Sequence, residues 1–463
     1  MKARRVIIRK CEEYDPAAIE GIVRESMQDL AEKPSGRILI KPNVVVANTG
    51  YIHHAHTEPR MVEAMVNVLR GREADPAVTI GESGGIGMPT RLMFSESGYL
   101  QMARRLNVPL SNFNTERTEQ VGLSKAKWHK TMLVAKSLYE ADYKIWMPKL
   151  KYHIVCQITN ALKLNIGILT HKERFLYHDH RLNEKIVDML QIGYPNLIVT
   201  DAITIGHGFE SSPYPFRLGA IIISNDPLAV DMVAARILNY EPEEVLHLVE
   251  ASERGYGSLD FDEIEITGDV DVEELSAKTR SIECPYPAHF GLDKVKTPIK
   301  FYEGINRDTG TDCCGGCVCS IKGVLGTAEK RYPGTLANAR KGAIVMGYYK
   351  GDVVHPGEPV ALIGTCSGVE GRLEAGKIIR VKGCPPKVAS LAIKFLYKFK
   401  IRSPAFEPVT IAKLVYHSVI EQFTKVLLPF SKKIDFRENV MAETGPDTVA
   451  SRGPEHGRHK KTA

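Results

Sequence analysis

The residues with the clearest chemical potential are cysteines. Cys314-Gly-Gly-Cys317 is a CxxC pair, in which two thiolates can meet one metal centre across a tight loop that the two glycines make sterically accessible. Gly364-Thr-Cys366-Ser-Gly368 and Gly383-Cys384-Pro-Pro386 each set a further cysteine in a glycine- or proline-rich turn. Such turns leave backbone N–H groups available to cluster sulfurs. A proline directly after the last ligand also recurs in ferredoxin-type patterns. Cys314, Cys317, Cys366 and Cys384 are therefore the expected metal ligands, with a 4Fe–4S cluster as the expected cofactor. A structural zinc site uses the same four-cysteine set but usually presents two close pairs, whereas here one pair is close and two ligands stand alone. Cys313 and Cys319 flank the pair; each could replace a ligand, serve a second metal, or be a small buried residue.

A second group of polar residues follows apolar runs of strand length. Ile38-Leu-Ile40 ends in Lys41-Pro-Asn43, Val78-Thr-Ile80 in Gly81-Glu82-Ser83-Gly84-Gly85, and Tyr143–Met147 in Pro148-Lys149-Leu-Lys151-Tyr-His153. Ile198-Val199 ends in Thr200-Asp201, and Ile221–Ile223 in Ser224-Asn225-Asp226. If these strands are parallel, their C-terminal ends share one edge, the edge at which open α/β sheets bind ligands. The expected catalytic residues are Lys41, Lys149, Lys151 and Glu82. The expected substrate-binding residues are Asn43, Ser83, Gly84, His153, Asn160, Lys163, Asp201, His207 and Asp226. A lysine-rich edge suits carboxylate or phosphate groups, so an anionic small molecule is the expected ligand. Gly81–Gly87 could cradle a phosphate but is neither a Walker A loop nor a clean GxGxxG, and a simple turn explains it as well. The histidines of His53-His54-Ala-His56 and His178-Asp-His180 leave a second metal open, although loop histidines are more often solvated or hydrogen-bonded.

Strand-length runs alternate with helical patterns from Arg4 to about Asp271. This predicts an α/β fold with a mostly parallel, doubly wound sheet. The expected divisions are an α/β ligand-binding domain over 1–275, a linker over 276–300, a cysteine-rich iron–sulfur domain over 301–390, a helical extension over 391–438 and a disordered tail over 439–463. With 463 residues the chain is too long for one core. A formal net charge of +6, from 61 basic and 55 acidic residues, is too mild to imply nucleic-acid binding. No export signal and no membrane span are read from the sequence. Six of the nine cysteines fall between Cys313 and Cys384, which reads as metal ligation in a cytoplasmic protein rather than a disulfide frame.

The order CxxC, distant Gly-x-Cys, then Gly-Cys-Pro-Pro resembles the cluster site of the small subunits of nickel–iron hydrogenases and the related complex I subunit, over Cys314 to Pro386 only. It implies a 4Fe–4S centre without implying hydrogenase or quinone chemistry. Lys41-Pro-Asn43, His56-Thr-Glu58, Gly81-Glu-Ser-Gly-Gly85, Pro148-Lys-Leu-Lys151, Asn160-Ala-Leu-Lys163, Asp201-Ala-Ile203 and Asn225-Asp-Pro-Leu-Ala-Val-Asp231 together resemble the domain-of-unknown-function 362 family over roughly 36–240. That resemblance implies a cytoplasmic protein of a group often described as iron–sulfur binding. The usual two-cluster Cx2Cx2Cx3CP run is absent from this sequence.

Three functions compete. One is an oxidoreductase passing electrons between the cluster and the bound anion, with a redox protein as candidate partner. The second is a non-redox ligase, transferase or isomerase with a structural metal. The third is a carrier or assembly protein without chemistry of its own. No Ser/His/Asp order, H-E-x-x-H or kinase signature supports a hydrolase or kinase.

Overall fold

The computed structural model describes residues 4–427 except 72–75, 86, 285–291, 293–294, 308–309, 311–315 and 387, with the side chains of 388–389 and 425–427 also left aside. Its strands are β1 (Arg4–Lys10), β2 (Arg37–Pro42), β3 (Ala77–Glu82), β4 (Leu110–Asn112), β5 (Thr118–Gly122), β6 (Thr131–Ala135), β7 (Tyr143–Met147) and β8 (Lys149–His153). They continue as β9 (Gln157–Thr159), β10 (Leu197–His207), β11 (Tyr214–Ser224), β12 (Ile264–Gly268), β13 (Ile299–Glu303), β14 (Gly342–Tyr349), β15 (Val353–Val369) and β16 (Leu373–Val381).

The main sheet runs β12-β1-β11-β10-β7-β2-β3-β4, with β8 and β9 extending it beside β10. Most of its pairings are parallel, and alternate residues of each strand enter different cores, as a two-residue side-chain period requires. Val6, Ile8, Leu39, Trp146, Ile198 and Ile222 face one core, while Ile7, Ile38, Ile40, Ile145, Val199 and Ile223 face the other. The helices Pro16–Asp29 and Pro59–Arg70 cover the second face and Pro227–Ile237 covers the first. This is the α/β architecture read from the sequence.

Two strands break the parallel rule: β9 is a short antiparallel partner of β8, and β11 reverses inside the sheet. β11 is antiparallel to both β1 and β10, because β10 returns directly through the short His207–Tyr214 connection. Ser224-Asn225-Asp226 therefore lies at the sheet edge opposite Asp201, not with the lysines. There Asp226 caps the Pro227–Ile237 helix by accepting from the Leu228 and Ala229 N–H groups, and it pairs with Arg4 at 2.9 Å.

A second sheet, β13-β14-β15-β16, is parallel throughout and packs on the helix Gly316–Arg331 and on Phe395 and Phe399. The helix Val272–Thr279 runs into the segment 276–300 read as a linker. The stretch read as a helical extension contains the helix Pro408–Leu427, and the tail 439–463 lies outside the described residues.

Candidate functional site

Strand ends set the lysines where the sequence places them, but they are not solvated. Lys41, Lys149 and Lys151 are 0%, 1% and 1% exposed, so each ammonium needs an internal partner. Lys41 Nζ lies 2.7 Å from Glu82 Oε2, at the ends of neighbouring strands β2 and β3. Burial pushes the Lys41 ammonium down and the Glu82 carboxyl up, and their mutual attraction pulls each back. Lys149 Nζ lies 2.9 Å from Asp201 Oδ2, its register partner across β8 and β10, and 2.8 Å from the Tyr14 hydroxyl. Asp201 also accepts from Tyr14 and from the Glu58 N–H. Both pairs are internally balanced.

Lys151 differs. Its ammonium donates to the Ala55 carbonyl at 2.7 Å and the Glu210 carbonyl at 3.0 Å rather than to a carboxylate. Burial, helped by the nearby Lys163 charge, brings it down to about 7. Lys163 is half-buried and makes no hydrogen bond or ion pair among the described residues, yet its charge depresses Lys41, Lys151, His153 and His178. Arg174, 3% exposed, donates to the Ser83, Gly84 and Leu169 carbonyls and adds another buried cation. The interior beside the sheet edge thus holds more positive than negative charge. Gly167 lies over the Lys41–Glu82 pair so closely that a Cβ there would sit 2.2 Å from Glu82 Oε1.

His153 adds a fixed tautomer. Its Nδ1 accepts from the Val155 and Cys156 N–H groups, which assigns the proton to Nε2, and Nε2 faces Glu210 Oε1 at 3.7 Å. Burial holds the imidazole neutral, far below its ordinary range. The Cys319 thiol donates to the same Glu210 oxygen at 3.4 Å, and Glu210 Oε2 has no partner. Thr159 Oγ1, Gln157 Oε1 and His178 Nδ1 are likewise buried without one. These unpaired polar atoms leave donors and acceptors in the interior that the described residues do not satisfy.

The other expected residues divide. Asn43, with its Oδ1 unpaired, and Ser83 and Gly84 are buried beside the Lys41 pair. Asn160 accepts from Thr200 Oγ1 at 2.9 Å and helps seat the following turn, whose Ala161 and Leu162 N–H groups are accepted by Asp231. His207 stands apart, its ring 5.7 Å from that of Tyr214. His53, His54 and His56 line an open groove with Glu58, Arg60, Glu63, Glu96 and Arg105. Of these, His56 is pushed down to about 3 by burial and by Lys149 and Lys151. Sequence reasoning missed Arg174 and Glu210. Arg174 lies inside a short helix, and Glu210 follows Gly208-Phe209 in the β10–β11 connection, a position with no motif around it.

The cysteine segments meet at the N-terminal end of the Gly316–Arg331 helix. Cys317, 2% exposed, is in its first turn, and a Cβ on Gly364, whose φ is +108°, would lie 2.7 Å from the Cys317 sulfur. The Thr365 N–H donates to the Gly383 carbonyl at 3.1 Å and the Gly383 N–H to Thr365 Oγ1 at 3.1 Å, tying the Cys366 and Cys384 turns together. Gly316 packs on Pro385, with a Cβ there 3.5 Å from the ring. Cys366 is half-buried and Cys384 exposed. Cys313 and Cys314 lie outside the described residues. Among the described residues no three histidine, cysteine or carboxylate side chains are grouped to hold a metal ion.

One helix joins the two places. Cys317 and Cys319, two residues apart, point to different sides of it: Cys317 toward Gly364 and Cys319 toward Glu210. The same end of the helix lies beside the His178 carbonyl, and Asn306 reaches His180 at 3.4 Å.

A "Thylakoid-associated protein" of Synechocystis sp. is 24% identical over 258 residues, covering 52% of this chain and 77% of that one. Two solved structures share 11% and 13% identity: the lactate racemase apoprotein from Thermoanaerobacterium thermosaccharolyticum (TM-score 0.35, 50% of this chain and 56% of that chain) and a Thermotoga maritima protein (TM-score 0.32, 53% and 60%). At those scores neither likeness carries an argument. Residues 38–236, from the second strand to the end of the Pro227–Ile237 helix, match the family described as Domain of unknown function (DUF362).

Proposed function

We propose that this chain is a cytoplasmic iron–sulfur protein in which Cys314, Cys317, Cys366 and Cys384 hold a 4Fe–4S cluster beside a buried site for an anionic small molecule. The observation that supports it best is the Gly316–Arg331 helix, which carries Cys317 against the Gly364 turn and Cys319 against Glu210. The donor set is sulfur alone, and Gly364 leaves free the space that a Cβ would fill beside Cys317. A cluster bound there would supply single-electron transfer, so the class of activity proposed is an oxidoreductase, with a redox protein as its partner.

The chain's own residues would do the rest. Lys163 and Lys151 offer ammonium groups without carboxylate partners, suited to a carboxylate or phosphate. The His153 Nε2–H faces one Glu210 carboxylate oxygen and the Cys319 S–H donates to the same atom, so the two orient that carboxylate. Lys41–Glu82 and Lys149–Asp201 brace the edge without spending their charge on the ligand. Anaerobic purification with iron and sulfide analysis, followed by a reductive titration with and without added carboxylates, tests the reading. Iron and sulfide in equal amounts and a reversible spectral change are expected. Protein without iron, or a centre that never changes redox state, contradicts it.

A further inference from the structure

The Pro408–Leu427 helix is amphipathic in an inverted sense. Its inner side is mixed: Leu414 packs on the α/β core, Glu421 accepts from the Arg91 N–H and Asn112 Nδ2 at 2.9 Å each, and Lys413 pairs with Glu96 at 2.6 Å. Its outer side is apolar. Val409, Ile411, Val415, Tyr416, Val419 and Phe423 are 66%, 45%, 56%, 60%, 47% and 67% exposed. At ~100° per residue they cover an arc of about 160°. Of the fourteen exposed large apolar side chains among the described residues, nine fall between Ile393 and Phe423, so this is a concentration and not ordinary scatter.

The chain that carries this face is predominantly basic. The acidic residues between 388 and 427 are Glu407 and Glu421, and both are engaged, Glu407 by Arg331, Tyr332 and Thr410 and Glu421 as above. Lys394, Lys400 and Arg402, in the chain leading into the helix, are exposed, and the first of these sits between the exposed Ile393 and Tyr397. Protein interfaces are depleted in lysine, whereas helices that lie in a bilayer interface combine an apolar face with flanking cations and aromatic residues. No helix among the described residues is long and apolar enough to cross a membrane.

We propose that the outward face of the Pro408–Leu427 helix docks on an anionic lipid surface, lying along it, with Lys394, Lys400 and Arg402 meeting the headgroups. Full-length protein is mixed with phosphatidylcholine vesicles and with vesicles in which half the lipid is phosphatidylglycerol, then floated through a density gradient. Recovery with the anionic vesicles alone, falling as salt is raised, is expected. The Val419→Asp/Phe423→Asp variant should lose flotation while keeping its far-ultraviolet dichroism. Replacing Lys394, Lys400 and Arg402 by Gln should weaken binding by about fivefold per cation, roughly a hundredfold together. Equal recovery with both vesicle types or in the double Asp variant overturns the proposal. So does a dimer, seen in sedimentation without vesicle binding, that Phe423→Asp disperses. Vesicle binding that begins only after residues 428–463 are removed also overturns it, assigning the face to the chain's own end.

Discussion

Replacing Lys41 by Met isolates the energetics of the buried edge. The ammonium 2.7 Å from Glu82 Oε2 is removed, and a carboxyl group 2% exposed keeps only the Ser83 N–H at 2.7 Å and the Val44 N–H at 3.4 Å. Stranding a buried charge in this way costs about 3–5 kcal/mol. The cost must depend on pH, because the stranded carboxyl can escape by binding a proton. Its unfolded-state value is 4.5, and burial raises the folded value above that. Between the two the native state holds more protons than the unfolded chain, so variant stability falls as pH rises through that window, by about 1.4 kcal/mol per pH unit. In the wild type the Lys41 charge opposes the rise and the loss is smaller. Urea unfolding followed by the fluorescence of Trp146, buried in the same sheet, reads this directly. The penalty at pH 7 should exceed that at pH 5, because the variant's carboxyl is raised further than the wild type's. Lys41→Met/Glu82→Leu should recover most of it. A penalty equal at both pH values, or a double variant no better than the sum of the singles, refutes the reasoning.

Sulfate, whose charge is constant over the range, should bind more weakly as pH rises through about 7, where Lys151 loses its proton. Titration calorimetry between pH 6 and 8.5 should show up to about a tenfold loss per unit, and a flat profile contradicts the role given to Lys151. Gly364→Ala sets a Cβ 2.7 Å from the Cys317 sulfur at a φ of +108°, which favours glycine. Its iron content should fall while the Trp146 unfolding transition stays in place, and full iron content argues against the Cys317–Gly364 contact mattering. Asp226→Ala removes a helix cap and the Arg4 pair at the opposite edge, so stability should drop by about 1–2 kcal/mol with sulfate affinity unchanged. A weaker sulfate complex would contradict its placement.

The alternation of apolar runs with helical patterns made the α/β class legible, because strands buried on both faces are continuous in Val, Ile and Leu. Strand direction was not legible: Ile221–Ile223 reads like its parallel neighbours, and only the short β10–β11 connection reverses it and carries Asp226 away. The lysines were visible as residue types, but their pairing was not. That Lys41 meets Glu82, and Lys149 meets Asp201, depends on strand order and register across 41 and 52 residues. Glu210 escaped notice because its partners, His153 and Cys319, come from two distant segments. The glycines flanking Cys366 and Cys384 were read as loop formers, and Gly364 proves to face Cys317 directly.

X-ray absorption at the iron and zinc edges, on anaerobically purified full-length chain, tests the central claim most directly. The account predicts iron with a sulfur-only first shell, reduced when Cys384 is replaced by Ser. Zinc in a four-sulfur site, or iron whose signal is indifferent to Cys317, Cys366 and Cys384, would contradict it.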